Sequence, residues 1–283
     1  MPETLLFGRR SRVCVGMDCA TIPVMENEQN ITPAAQADQQ AATREPSSPA
    51  ESVAPGQASV SAEPPAPTVD SPEETPASFD VFLASASPRR KQLLEDAGIA
   101  FAVRVSAADE ALDADQLADP PEAAKKLAER KAGAVVQEIL AEDYTGMAIV
   151  LGADTMVVCD GDIFGKPKSL SDATRMLRRL SGTTHEVLTA VSVWMVAAPE
   201  PEKISLGFRT LVDATAVTFR TLSDDEIAEY LRQGESFDKA GAYAIQGAGA
   251  ALVERIDGAL DTVIGLPVER LLREFPDLAA AKA

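Results

Sequence analysis

Apolar runs alternate with amphipathic segments from residue 79 to residue 275, and this alternation predicts an α/β fold. The run at 148–154 is almost continuously apolar, which is typical of a strand buried on both faces. Two longer strands follow each other directly and are expected to pair as antiparallel neighbours. In chain order, the apolar runs predict strands at 79–84, 148–154, 185–197, 208–220 and 250–256.

The amphipathic segments carry residues that begin and end helices. In the first of them, Ser87 is a suitable N-cap, Pro88 occupies the first helical position and Gly98 ends the helix. Asp160 and Gly161 predict a hairpin turn between strands. We therefore expect a mixed, twisted sheet flanked by helices. The helices are predicted at 87–98, 119–140, 171–182, 223–231 and 266–275.

The first 78 residues differ in composition from the rest of the chain. They contain 11 of the 19 prolines and a single aromatic residue, Phe7. Such a segment buries too little apolar surface to offset the entropy of ordering. We expect a disordered extension over residues 1–78, either inert or an interaction tail, and one domain over residues 79–283.

Charge and apolar length exclude two classes of partner. The formal net charge is −18, so a general phosphate-binding surface and binding to a nucleic-acid polymer are not expected. Any anion must therefore bind in a local site built from a few cations and backbone N–H groups. No run of 18 apolar residues occurs, so no membrane span is expected.

The chain has three cysteines and one histidine, His185. An odd number of cysteines without paired spacing is typical of a reducing compartment, and Cys159 is expected to be a core thiol. A single histidine excludes multi-histidine metal sites and favours a carboxylate as any catalytic base. No partner motif accompanies His185, so a structural role is expected for it.

The junction between the first strand and the first helix is a candidate anion site. A helix N-terminus offers free N–H groups and positive potential, and Ser87, Arg89 and Arg90 add a hydroxyl and two cations. Arginines there oppose the helix dipole, and an anionic ligand would remove that conflict. The segment by itself fits equally well an ordinary capped helix with solvated arginines.

Asp154 ends the apolar run at 148–154, and ligands bind at strand ends in open α/β sheets. A carboxylate there could hold a hard divalent ion or orient a water molecule for attack on phosphorus. Aspartate is also a common turn former. Glu110 is a possible second metal-binding carboxylate, although this acidic chain has many such residues.

Two further segments place a lysine beside small or rigid residues. Lys166 lies in Gly-Lys-Pro, and Lys239 precedes the glycine-rich stretch 241–249. Lysine is a compact charge suited to phosphate, and Gln246 has both a donor and an acceptor for the edge of a pyrimidine base. Each lysine taken alone also fits a solvated surface residue.

Taken together, these segments resemble the Maf family of nucleoside triphosphate pyrophosphatases. The motifs occur in the family's order and cover nearly all of the ordered part of the chain, which makes them more specific jointly than singly. The matching stretches are LASASPRRKQLLEDAGI (83–99), VLGADTMVV (150–158), GKP (165–167), ATRMLRRLSGTTHEVLTAVSV (173–193), VTFRTL (217–222), DKAGAYAIQG (238–247) and VIGLPV (263–268).

The resemblance implies a two-lobed single domain with a central cleft, usually a homodimer, in the cytoplasm. It implies hydrolysis of a nucleoside triphosphate between its α and β phosphates with a divalent cation, Mg²⁺ or Mn²⁺. The spelling of the stretch from Lys239 to Gly247 is similar to the branch that acts on dTTP and UTP. Modified nucleotides such as 7-methyl-GTP are an alternative substrate class, and nucleotide-dependent regulation of septum formation is an alternative role.

The resemblance also assigns roles to individual residues. Asp154 matches the family's proton acceptor. The positions that set base preference are Arg89, Thr155 and Gln246. The positions close to phosphate or metal are Ser87, Arg90, Glu110, Lys166 and Lys239, and the metal ligands are Glu110 and Asp154.

Overall fold

The computed structural model describes residues 79–201 and 203–281. The predicted extension over residues 1–78 lies outside the described residues, so that prediction is not tested here. Seven strands form one sheet: β1 (Asp80–Leu83), β2 (Ala102–Val103), β3 (Gly146–Cys159), β4 (Asp162–Phe164), β5 (Thr184–Glu200), β6 (Lys203–Phe219) and β7 (Val253–Asp257).

The helices flank this sheet, as predicted. They are α1 (Pro88–Asp96), α2 (Ala114–Leu117), α3 (Pro120–Ala141), α4 (Leu170–Leu180), α5 (Asp224–Arg232), α6 (Leu260–Ile264) and α7 (Val268–Glu274), with 3₁₀ turns at Ala240–Ala242, Gly247–Leu252 and Pro276–Ala280. No helix in the described ranges is long and apolar enough to cross a bilayer.

The sheet is mixed, with the strand order β2-β1-β3-β5-β6-β7 and β4 added to β3. β1 pairs in parallel with both β2 and β3, whereas the other pairs are antiparallel. β5 and β6 are each 17 residues long and are antiparallel neighbours, as predicted. The predicted fold class, a mixed α/β sheet flanked by helices, is therefore confirmed.

The prediction that Asp154 closes a strand is wrong, because β3 continues through it to Cys159. The parallel pairing with β1 does end nearby, at Leu83 opposite Leu151. On its other edge, β3 pairs with antiparallel β5 from Gly146 to Val158, and on the β1 edge it pairs with antiparallel β4 from Val157 to Cys159. The end of the apolar run therefore lies near the point where pairing with β1 stops, and β3 itself continues beyond it.

Other boundaries also shifted for local reasons. The helix predicted at 266–275 is α7, and the separate helix α6 precedes it. Gly265 has φ 125°, a conformation that favours glycine, and Pro267 cannot donate a helical hydrogen bond, so the two helices are interrupted there. The predicted hairpin at Asp160 and Gly161 is confirmed, since both residues have positive φ, as its tight turn requires.

Two large hydrophobic clusters lie on either side of the middle of β3. One contains Leu151 and Ala153 with side chains of α1 and α7. The other contains Val157 with side chains of α4 and α5. Thr155 lies between them on the same face of β3, so a polar group occupies the part of the strand where one cluster ends and the next begins.

Candidate functional site

The first turn of α1 lies directly after β1. Ser87 is the N-cap and Pro88 the first helical residue, as predicted, but the Ser87 side chain makes no capping hydrogen bond. No acidic residue lies in the first turn. The positive end of this helix is therefore left without an internal anion, and two arginines lie beside it.

Arg90 points inward and binds protein oxygen atoms. Its Nη1 donates to the carbonyl oxygen of Ala153 at 2.9 Å and to Ser85 Oγ at 3.2 Å. Its Nε donates to the carbonyl oxygen of Gly265 at 2.8 Å, and its Nη2 donates to Thr155 Oγ1 at 3.0 Å. These bonds use four of the five N–H groups of an arginine, so Arg90 ties α1 to β3 and to the end of α6.

Arg89, in contrast, lies toward the segment that precedes the glycine-rich stretch. Burial tends to raise the pKa of Asp238, but the pKa is held below its usual value by Lys239 and by the positive charge of Arg89. Arg89 also acts electrostatically on Tyr230 of α5. The two arginines of the first turn therefore act on different parts of the protein: Arg90 on β3 and α6, and Arg89 on the segment around Asp238.

Asp154 projects from the face of β3 that carries α3. Gly152 lies two residues earlier on the same face and allows α3 to pack closely against β3. A Cβ atom at Gly152 would lie 2.4 Å from the carbonyl oxygen of Ala128 in α3. Asp154 Oδ1 accepts a hydrogen bond from Lys131 Nζ of α3 at 2.6 Å. Lys131 Nζ also lies 3.2 Å from Glu110 Oε1, so one ammonium joins both predicted metal ligands.

Burial sets the protonation behaviour of Asp154. Its side chain is 11% exposed, and burial raises the pKa of the carboxyl group against the opposing effects of Lys131 and Arg90. Burial also lowers the pKa of Arg90, although Asp154 and Glu110 oppose that change. A carboxylate with a raised pKa is a better proton acceptor near neutral pH than an exposed one.

Lys131 is not among the site residues predicted from the sequence. Its signal was nevertheless present, because Leu127 and Val135 lie four residues away on each side and both are buried. A lysine within the apolar stripe of an amphipathic helix faces the protein interior. Buried lysines are normally paired with a carboxylate, which points to a partner on the strand beneath.

The two predicted phosphate-binding lysines lie in adjoining loops. The Gly241 N–H donates to the carbonyl oxygen of Gly165 at 3.1 Å, which joins the Gly-Lys-Pro segment to the segment that carries Lys239. Lys166 is exposed, and Lys239 pairs with Asp238. Gly241 has φ 69° and packs against Val157, so this pair of loops is fixed to β3.

The described residues divide the predicted site into three groups. Around the middle of β3, Arg90 binds Thr155, and Lys131 joins Asp154 to Glu110. Lys166 and Lys239 lie in the adjoining loops. Gln246 is exposed and begins the 3₁₀ turn at Gly247–Leu252, where its side chain makes no capping hydrogen bond.

The carboxylates fit a divalent ion only in combination with other oxygen ligands. In the described ranges, no group of three or more His, Cys, Asp or Glu residues is placed to hold a metal ion. Asp154 and Glu110 do converge on one cation, Lys131. Mg²⁺ is commonly held by one or two carboxylates together with substrate phosphates, so the donor set fits that mode of binding.

His185 and Cys159 take structural positions. His185 is 2% exposed, and its Nε2 lies 2.8 Å from the Tyr243 hydroxyl oxygen. Burial lowers the pKa of His185 to about 4, so the ring is neutral at pH 7. Cys159 is a buried free thiol, as predicted.

A buried carboxylate paired with an ammonium and the uncapped N-terminus of α1 lie on one mixed sheet, in an α/β protein. The chain matches the family model "Maf-like protein" over residues 80–278, and it belongs to this family.

The chain is similar to several curated proteins. It is 45% identical to the dTTP/UTP pyrophosphatase of Bacillus velezensis over 197 residues, which cover 70% of this chain and 95% of that protein. It is 42% identical to the dTTP/UTP pyrophosphatase of Aquifex aeolicus over 198 residues, which cover 70% and 95% of the two chains. Among solved structures, it aligns with a nucleoside-triphosphatase, or dITP/XTP pyrophosphatase, of Mycobacterium abscessus at 11% identity and a TM-score of 0.31, over 71% and 97% of the two chains.

Proposed function

We propose that the protein is a nucleoside triphosphate pyrophosphatase that hydrolyses dTTP and UTP to the monophosphate and pyrophosphate. The observation that carries the proposal is the position of Asp154. It is buried against Lys131 and directly follows Ala153, whose carbonyl oxygen binds Arg90 in the first turn of α1. The names of relatives at 42–45% identity support the substrate class.

In this proposal, Asp154 accepts a proton from the attacking water molecule. The water oxygen bonds to the α-phosphorus, the bond from that phosphorus to the α–β bridging oxygen breaks, and pyrophosphate leaves while the nucleoside monophosphate remains. The uncapped first turn of α1 and the Ser87 hydroxyl would bind phosphate oxygens, and Lys166 and Lys239 would add positive charge from the adjoining loops. Such transfer depends on alignment and charge neutralisation more than on covalent chemistry.

A divalent cation, Mg²⁺ or Mn²⁺, belongs to the proposal. Asp154 and Glu110 would hold it, and when bound it would neutralise charge on the phosphates. Lys131 lies between the same carboxylates and keeps their charges balanced in the substrate-free protein. Metal-dependent activity is measured by titrating MgCl₂ and MnCl₂ against chelated enzyme.

In the proposal, the exposed Gln246 contacts the base of the nucleotide and sets the base preference. Gln246 has a free amide with one acceptor and two donor hydrogens, which match a pyrimidine edge, and Arg89 lies near the same segment. The Thr155 hydroxyl already binds Arg90, so it would act on base preference through the position of that arginine. Gln246→Glu should change the ratio of kcat/KM between UTP and other nucleotides, and an unchanged ratio would refute its role.

The decisive test compares Asp154→Asn with Asp162→Asn, a matched change at an exposed carboxylate on β4. Asn is isosteric with Asp but does not accept the proton, so we expect pyrophosphate release from dTTP and UTP to fall at least about 100-fold. Asp162→Asn should keep wild-type activity. A wild-type protein that releases no pyrophosphate from either nucleotide, at any metal concentration, would refute the function.

The proposal includes a homodimer in the cytoplasm. Among the described strands, β7 pairs with β6 only from Ala216 to Phe219, so the earlier part of β6 has one free edge. That part exposes Ile204, Leu206 and Phe208, which suits burial against a second copy. Leu206→Asp should lower the mass measured by light scattering to that of a monomer, whereas Leu170→Asp, an exposed leucine elsewhere, should not. The few cysteines support a reducing compartment.

A further inference from the structure

A chain of hydroxyl groups, half-buried at Thr155 and fully buried at Thr189, runs from Arg90 through the sheet. Arg90 Nη2 lies 3.0 Å from Thr155 Oγ1, which lies 3.0 Å from Thr189 Oγ1. Thr189 Oγ1 lies 2.7 Å from the carbonyl oxygen of Thr262. Thr155 and Thr189 are cross-strand partners of β3 and β5, so the sheet itself sets their separation.

The direction of every proton in this chain is fixed by its two ends. A guanidinium only donates and a carbonyl oxygen only accepts. Thr189 must therefore donate to Thr262, which leaves its oxygen to accept the proton of Thr155, and Thr155 accepts from Arg90. No hydroxyl in the chain can rotate without leaving a buried group unpaired.

The chain closes into a ring through the backbone of α6. Arg90 Nε donates to the carbonyl oxygen of Gly265, three residues after the carbonyl that Thr189 binds. Carbonyl groups at the end of a helix lack helical partners, and here a hydroxyl and a guanidinium supply them. A Cβ atom on Gly265 would lie 3.3 Å from Thr155 Oγ1, so only glycine fits this turn comfortably.

A second set of contacts holds the far side of the ring. Thr262 Oγ1 donates to Asp213 Oδ2 at 2.5 Å, and Arg270 Nη1 of α7 donates to Asp213 Oδ1 at 2.8 Å. Asp213 is the cross-strand partner of Thr189 on β6. Three neighbouring strands and two helices therefore fix the carbonyl that receives the Thr189 proton.

We propose that Thr189 is a positioning residue for the hydrolytic reaction. It is fully buried, so it acts through Thr155 and Thr262 on Arg90, and through Arg90 on the first turn of α1 relative to Asp154. This inference rests on the proposed function, because the reaction it serves is the cleavage proposed for Asp154. The ring keeps the phosphate-binding turn and the proton acceptor in one fixed relation.

The test replaces Thr189 with valine and with serine. Valine keeps the shape of the side chain and removes the hydroxyl, so we expect kcat to fall about tenfold or more while KM changes less, since small misplacements of site groups are costly to rate. Thr189→Ser restores the hydroxyl and should recover most of kcat. Wild-type kcat in Thr189→Val would overturn the proposal.

A matched control separates positioning from lost stability. Val193→Ala shortens a buried side chain on the same strand, outside the ring, and should lower Tm with no change in kcat. An equal fall of kcat in Val193→Ala at matched Tm would overturn the proposal.

Backbone hydrogen exchange supplies a readout that does not depend on catalysis. Thr189→Val should speed exchange in residues 88–92 and 262–266 relative to both the wild-type protein and Val193→Ala. A wild-type protein without activity would refute the proposed function alone, and the exchange comparison would still decide whether Thr189 holds the ring. Unchanged exchange in both segments would overturn the positioning role.

Discussion

Helices α1 and α5 are each nine residues long and each begins after a serine, yet their first turns are built in opposite ways. Ser223 accepts from the Glu226 N–H, and Glu226 accepts from the Ser223 N–H, which completes a capping box at α5. Three acidic residues lie in the first turn of α5. At α1, Ser87 makes no such bond, and the first turn contains Arg89 and Arg90 and no acid.

The comparison sets a helix whose N-terminus is satisfied by the protein's own side chains against a helix whose N-terminus is left uncapped, where we propose that phosphate binds. At α5, side chains of the protein itself satisfy the N–H groups and the dipole. At α1, the Ser87 side chain makes no capping bond, and Arg90 anchors the helix through its bonds to other elements. The two helices also pack on different hydrophobic clusters, with Leu94 of α1 in one and Ile227 of α5 in the other.

The largest expected effect on stability is at the arginine that anchors α1. Arg90→Met should lower the free energy of unfolding by about 3 kcal/mol, because buried oxygen acceptors lose a charged donor. Arg178→Met removes an exposed ion pair with Asp224 at the start of α5, and its midpoint in urea should match that of the wild-type protein. Equal losses in the two variants, measured by urea unfolding, would contradict the contrast between the helices.

An intermediate effect is expected from the cluster on which α5 packs, because it contains the neutral His185. The pKa is about 4 in the folded protein and lies near 6.5 when unfolded, so stability is fully present above pH 6.5 and is lost as the pH falls toward 4. Between pH 7 and pH 5 this loss amounts to about 2 kcal/mol.

Urea unfolding of the wild-type protein and of His185→Gln at both pH values measures this effect. The wild-type protein should lose more stability on acidification than the variant. Parallel curves for the two proteins would show that His185 is not held neutral by burial.

The smallest expected effects come from replacing the two N-cap serines, and the two replacements should change different properties. Ser223→Ala should cost about 1 kcal/mol of stability, the usual value of an N-cap, without changing activity. Ser87→Ala should leave the unfolding midpoint unchanged and raise KM for the nucleotide, because its hydroxyl is free to bind phosphate. Loss of stability in Ser87→Ala with unchanged KM would show that both helices are capped alike.

The sequence was informative where local rules act. The alternation of apolar runs and capped segments predicted the mixed sheet, and Ser87 with Pro88 located the start of α1, because capping depends on a few adjacent residues. The end of β3 was wrongly predicted at Asp154. An apolar run indicates which residues are buried, but it does not indicate which strands pair with them or how far the pairing extends. The change of pairing partner along one edge of β3, from parallel β1 to antiparallel β4, depends on residues far away in the chain.

The candidate site was predictable in its residue types and less so in its contacts. Arg90 was expected to face phosphate, yet four of its donors bind protein oxygens that include Ala153 and Gly265, contacts of long sequence separation. Lys131 was missed because a lysine in a long amphipathic helix resembles a solvated one until the strand beneath it is known. The pattern on either side of it, Leu127 and Val135, was the available signal.

Gly152 gives the carboxylate one further dependence. With no side chain there, the backbone of α3 rests directly on β3, and this contact sets the reach of the Lys131 ammonium toward Asp154. One added methyl group would lift the helix away from the strand, lengthen that ion pair and leave a negative charge in an apolar setting. The acidity of Asp154 therefore depends on the absence of a side chain at Gly152, two residues away in the chain.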